Sequence, residues 1–146
     1  MNFKDLQMDL YGTPDHRIVF VGLGNPQLSN DCAGLIVMEQ IKRHKLFRNA
    51  HFIKAFTTPE NNLQEILDYK PELVVIIDTA DWGGQPGVSC WITGSQIENL
   101  AISTHSYSIS LIEKYLIMNG VIDVRYLVVQ PAFIDWKTEI GIYGSQ

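Results

Sequence analysis

Apolar positions along the chain follow two rhythms, one of strands and one of helices. Arg17 to Leu23 (RIVFVGL) is a compact β-branched and aromatic run that stops at Gly22-Leu23-Gly24-Asn25-Pro26. Such a run, ended by Gly and Pro, predicts a buried strand leading into a tight loop. From Ala33 to Phe47 the apolar residues fall at 33, 36, 37, 41 and 46. That is a helical period, and the Lys and Arg near its end suit the negative pole of a helix dipole. Ala50 to Thr57 predicts a second strand. Thr58-Pro59-Glu60-Asn61 has the form of a helix start, with Leu63, Ile66 and Leu67 on one face and Pro71 as the stop.

Leu73 to Asp78 (LVVIID) is apolar at every position before its last. Only a strand covered by helices on both faces tolerates that pattern. Gly83-Gly84-Gln85-Pro86-Gly87 predicts a loop, and Val88 to Thr93 an edge strand. Tyr107 to Met118 carries apolar residues at 109, 111, 112, 115 and 116, with Ser106 or Ser108 as N-cap candidates. Val124 to Val129 (VRYLVV) is a further strand closed by Gln130-Pro131. The stretch from Ala132 to Gln146 shows strand-like residues at Ile140 to Tyr143 and no helical period. The alternation predicts an α/β domain with a mostly parallel central sheet.

Composition narrows the function classes. At 146 residues the expectation is a single domain spanning 1–146, with Met1 to His16 as a flexible lead-in. The 46% hydrophobic content and the lack of low-complexity tracts exclude a disordered chain. Eleven Lys and Arg against sixteen Asp and Glu give a formal charge of −5. That is the wrong sign for gripping a nucleic-acid backbone. Apolar runs stay far short of the ~20 residues that a membrane span requires, so no membrane insertion is expected. Met1 to His16 carries Lys4, Asp5, Asp9 and Asp15 and does not read as a signal peptide. Cys32 and Cys90 lack CxxC spacing. The expected setting is therefore reduced and intracellular.

Polar residues at strand ends point to chemistry. In open α/β sheets, ligands bind beyond the carboxyl ends of the strands. Asp31 closes the loop after the first strand, Asp78 ends the LVVIID strand, and His105 precedes the third helix. Two carboxylates and an imidazole form an incomplete O,O,N set that suits zinc or nickel. The alternative for Asp31 is a helix cap, and for His105 a structural histidine. For Asp78, a carboxylate ending a fully apolar strand argues for function, because leaving a buried charge without partners is costly. Cys32 sits at a helix N-terminus, where the dipole would lower a thiol pKa, but no partnering His accompanies it, so it reads as a small packed residue. No nucleophile elbow is present. Gly22 and Gly24 lack the third glycine of a dinucleotide fingerprint, since position 27 is Gln.

Four pieces occur in a telling order: Val21-Gly22-Leu23-Gly24-Asn25; Asp31 with Gly34; Ile77-Asp78-Thr79-Ala80-Asp81-Trp82-Gly83-Gly84-Gln85-Pro86-Gly87; and Ser103-Thr104-His105. Together they resemble the nickel–iron hydrogenase maturation endopeptidases, in particular the branch serving the formate-hydrogenlyase type of hydrogenase. Pro59-Glu60-Asn61 and Val129-Gln130-Pro131 resemble that branch too. The resemblance runs from about Arg17 to Pro131 and implies a three-layer αβα sandwich. It also implies a cytoplasmic hydrolase that removes the C-terminal extension of a hydrogenase large-subunit precursor after nickel insertion. Asp31, Asp78 and His105 would then be both the metal ligands and the catalytic set. The nickel would be carried by the substrate precursor, with no permanent cofactor, and the shared metal could polarise the scissile carbonyl or activate water.

The chain departs from the family pattern at Ser29-Asn30-Asp31, where relatives commonly have Gly-Asp-Asp, and at Cys32, where they have Gly. It also stops at Gln146, where relatives continue into a final helix, which makes a monomer or weak homodimer the expectation. These departures keep open a non-catalytic checkpoint that binds nickel or precursor without cutting. A third reading comes from Val21 to Pro26, which is also how peptidyl-tRNA hydrolases begin. That class needs a catalytic His soon after, and positions 27 to 43 hold none.

Overall fold

The computed structural model describes residues 3–43, 45, 47–97 and 106–131. In chain order the elements are α1 (Phe3–Asp9), β1 (Ile18–Leu23), α2 (Ala33–Arg43), β2 (His51–Phe56), α3 (Leu63–Asp68), β3 (Leu73–Thr79), β4 (Ser89–Ile92), α4 (Gly94–Ile97), α5 (Ser106–Met118) and β5 (Asp123–Val129). The sheet order is β2-β1-β3-β5-β4. Neighbours pair in parallel except for β4, which runs antiparallel along β5 at the edge.

Side-chain alternation splits the core between the two faces of the sheet. Ile18, Phe20, Leu73, Val75, Ile77, Leu127 and Val129 pack with Val37, Met38 and Ile41 of α2. Val19, Val21, Val74, Ile76, Tyr126 and Val128 pack with Ile66 of α3 and Ile109, Ile112 and Leu116 of α5. The chain is thus an αβα sandwich. Its inner strands β1 and β3 are buried at every position, as their unbroken apolar runs predict.

Three local expectations are corrected. Met1 to His16 is not merely a lead-in. Phe3–Asp9 forms α1, and Leu6 and Leu10, each 2% exposed, join the α2-side core. Two apolar anchors one turn apart are enough to dock a short helix, but too few to show a period in sequence. The second helix ends at Arg43 instead of Phe47. Lys45 takes a positive φ of 58° and turns the chain back, so that Phe47 reaches the core from outside the helix, its ring 5.2 Å from that of Phe20. Ile36, expected on the buried face, is 52% exposed, while Leu35, Val37, Met38 and Ile41 are buried. The strand-like stretch Ile140 to Tyr143 lies outside the described residues.

Candidate active site at the carboxyl ends of the strands

β1 and β3 are neighbours, and the chain leaves β1 toward β2 on one side and returns to β3 on the other. That is the switch point of an open parallel sheet, where the diverging connections leave a crevice. Both predicted acids lie there.

Asp31 is delivered by a loop that closes on itself. Gly24 has φ +146°, and a Cβ there would lie 2.3 Å from the Asp31 carbonyl oxygen, so glycine is required for so close an approach. The Gly24 N–H donates to Phe56 O at 2.8 Å, which ties the loop to the end of β2. The Asn25 N–H donates to both Asp31 O (3.0 Å) and Asp31 Oδ2 (3.1 Å). The Gln27 N–H donates to Asn25 Oδ1 at 2.9 Å, an Asx turn. A single turn of 3-10 helix, Ser29–Asp31, then leads into α2. Asp31 is 3% exposed.

Asp78 comes from β3 and is 0% exposed. Its Oδ1 accepts the Thr79 N–H at 2.7 Å. Gly34, in the first turn of α2, joins the two acids: a Cβ there would lie 2.9–3.2 Å from backbone atoms of Asp78, and its N–H donates to Thr79 Oγ1 at 2.9 Å. The start of α2 is therefore pressed onto the end of β3, and Asp31 stands three residues before that contact. Each carboxylate has one oxygen held by a backbone N–H. Such anchoring fixes the plane of the group, as it does for metal-ligating carboxylates. His105, the third expected ligand, lies outside the described residues. Among the described residues no three metal-ligating side chains gather in one place.

Asn30, beside Asp31, is buried, and neither its Oδ1 nor its Nδ2 has a hydrogen-bond partner among the described residues. Cys32 is half-buried, and its Sγ–H donates to Ser29 O at 3.5 Å. Burial pushes the thiol pKa up, and the neighbouring Asp31 charge adds to the rise. Desolvation and the Asp31 charge outweigh the backbone hydrogen bond that lowers it, in keeping with a packed residue instead of a nucleophile. Because a raised pKa leaves less thiolate at neutral pH, Cys32 should alkylate with iodoacetamide more slowly than a free thiol at pH 7.5. The rate should climb through alkaline pH without a plateau near neutrality, as read by mass spectrometry of the Cys32 peptide.

Gln130, expected from sequence only to help close β5 and to carry part of the resemblance, organises the loop after Asp78. It is 5% exposed at the end of β5. Its Oε1 accepts the N–H groups of Trp82 (3.0 Å) and Gly84 (3.1 Å), and its Nε2–H donates to Asp81 Oδ1 (2.9 Å). A signal was present: an amide ending a strand of apolar residues must find buried partners, the same logic that singled out Asp78.

A family model for hydrogenase maturation proteases matches residues 35–143. A Methanocaldococcus jannaschii protein assigned by its name to the hydrogenase maturation proteases is 30% identical over 140 residues, covering 89% of this chain and 83% of that one. The crystal structure of the [NiFe] hydrogenase maturation protease HycI from Thermococcus kodakarensis is 26% identical with a TM-score of 0.72, covering 87% of this chain and 80% of that one. The Escherichia coli maturating endopeptidase HybD shares the fold at 16% identity, with a TM-score of 0.61 over 82% of this chain and 76% of that one.

Proposed function

From the premise that this chain belongs to the hydrogenase maturation protease family, a family of hydrolases, we propose that it is the endopeptidase that removes the C-terminal extension of a nickel–iron hydrogenase large-subunit precursor once nickel is in place. Asp31 and Asp78, with His105, recognise the nickel that the precursor carries. The observation that supports this reading is the convergence of two buried carboxylates at neighbouring strand ends, locked together through Gly34.

The donor set fits that role. Asp31, just before α2, and Asp78, near the end of β3, are both buried. A divalent cation carried there by the precursor would find carboxylate donors, and carboxylate with imidazole suits borderline ions. Asp31 and Asp78 arrive with their planes preset by the Asn25 and Thr79 N–H groups, so little ordering is required on binding. With the precursor seated, the ion it carries would polarise the scissile carbonyl or activate the attacking water, and Asp31, Asp78 and His105 would hold it in place.

No helix among the described residues is long and apolar enough to cross a membrane. We place the reaction in the cytoplasm, carried out by one domain acting as a monomer or weak homodimer. The family assignment sets aside the peptidyl-tRNA hydrolase reading. The buried, neutral Asn30 beside Asp31 is the feature that favours a checkpoint protein, which would bind without cutting.

The deciding measurement offers purified protein the nickel-loaded and the nickel-free precursor and follows chain length by mass spectrometry. Shortening of the loaded form alone is expected. Binding without shortening would make the protein a checkpoint, and equal shortening of both forms would remove nickel from the recognition step.

A further inference from the structure

We propose that Gln130 is a positioning residue for substrate recognition. Its carboxamide sets the shape of the arch from Asp81 to Gly87, whose outward edge docks the precursor's peptide beside Asp78. This rests on the reading of the chain as a peptidase acting on such a precursor.

The arch joins β3 to β4, and both its feet are fastened to the end of β5. The Ala80 N–H donates to Val129 O at 3.1 Å, the Gly87 N–H donates to Gln130 O at 2.9 Å, and the Gln130 N–H donates to Val88 O at 2.9 Å. Between the feet, three successive N–H groups turn inward. Those of Trp82 and Gly84 reach Gln130 Oε1, and that of Gly83 reaches Asp81 Oδ1 at 2.9 Å. The Gln130 Nε2–H closes the circuit on the same Asp81 oxygen. One buried side chain thus holds three groups of a loop roughly 50 residues away in sequence, where tertiary hydrogen bonds do the work that secondary structure does elsewhere.

The consequence lies on the other side of the arch. Gly83, Gln85, Pro86 and Gly87 are exposed, with little side-chain bulk and a backbone already fixed. An edge of that kind, three residues beyond Asp78 at its nearer foot, accepts an extended peptide without first having to be ordered. Prior ordering of a binding loop raises affinity by removing that cost from the association step. Glutamine is required because its two ends differ. The acceptor serves two amides, and the donor faces a carboxylate; a glutamate would oppose Asp81 charge to charge.

The test uses the full chain and three variants: Gln130→Met, which keeps length and loses all three bonds; Gln130→Glu; and Gln130→Glu combined with Asp81→Asn. Amide hydrogen exchange at Trp82 and Gly84 should accelerate at least about tenfold in Gln130→Met, while the β1 and β3 amides stay protected. With nickel-loaded precursor, KM should rise about tenfold or more in both single variants, with kcat within about threefold of the parent. Adding Asp81→Asn to Gln130→Glu should recover much of the lost KM, which a general loss of stability would not allow. Unchanged exchange would overturn the clamp. Faster exchange with an unchanged KM, or a loss confined to kcat, would overturn the docking role. If the parent shortens no precursor, the proposed activity fails by itself, and binding of the same precursor then decides this proposal: about tenfold weaker capture by Gln130→Met supports it, and equal capture overturns it.

Discussion

Asp78→Asn is expected to slow processing of a nickel-loaded precursor by at least about a hundredfold, or about 2.7 kcal/mol of transition-state stabilisation, while the protein stays folded. The substitution is nearly isosteric. The retained Oδ1 can still accept the Thr79 N–H now held at 2.7 Å, so the local backbone has no reason to move. What disappears is a negative charge at a position that is 0% exposed, together with an oxygen able to bind a cation. The change is nearly isosteric and keeps the Thr79 contact, so Tm should stay within about 4 °C of the parent. Loss of activity with undiminished stability is the signature of a residue kept for chemistry, and it separates Asp78 from the core residues around it. Undiminished processing by a folded Asp78→Asn enzyme would reduce this carboxylate to a structural role and withdraw the metal-recognition reading.

The same contrast explains which parts of the molecule were legible in the sequence. β3 was legible because a strand buried on both faces must be apolar throughout, so the single acid at its end stands out. Asp31 was legible by position: a glycine-bounded loop after a buried strand has to deliver its last residues to the sheet edge. The approach of the segment carrying Asp31 to Asp78 depends on a contact that no periodicity encodes, the seating of Gly34 on the Asp78 backbone. Phe47 and Ile36 were misplaced for a related reason. A turn at Lys45 ended α2 early, and the helix settled with 35, 37, 38 and 41 inward, a rotation chosen by the sheet instead of by the helix. Gln130 was invisible as an organiser because its partners lie in a loop whose conformation it creates. Long-range polar clamps of that sort leave only one faint trace, an amide where an apolar residue would be expected.

Gly24→Ala should be the most damaging Gly→Ala change among the described glycines. Two penalties coincide there: a φ of +146° that L residues rarely adopt, and a Cβ placed 2.3 Å from the Asp31 carbonyl oxygen. That oxygen cannot yield cheaply, because it accepts the Asn25 N–H at 3.0 Å and sits in the turn that begins α2. Backbone strain and overpacking together amount to roughly 2–6 kcal/mol, which for a domain of this size lowers Tm by about 5–20 °C. The loop must open to admit the methyl group, and Asp31 moves with it. A displacement near 1 Å at a positioning group can cost about a hundredfold in rate, so processing should fall further than the folded fraction does, even at temperatures where the variant is fully folded. Gly120→Ala supplies the comparison: its φ is +107° but nothing lies within 4 Å of the added carbon. It should show strain alone, with a modest drop in Tm and normal processing. Thermal unfolding and precursor processing measured on both variants separate the two effects. A Gly24→Ala protein that melts within about 2 °C of its parent and cuts normally would show that the closed Gly24–Asp31 loop is not what holds the first acid in place.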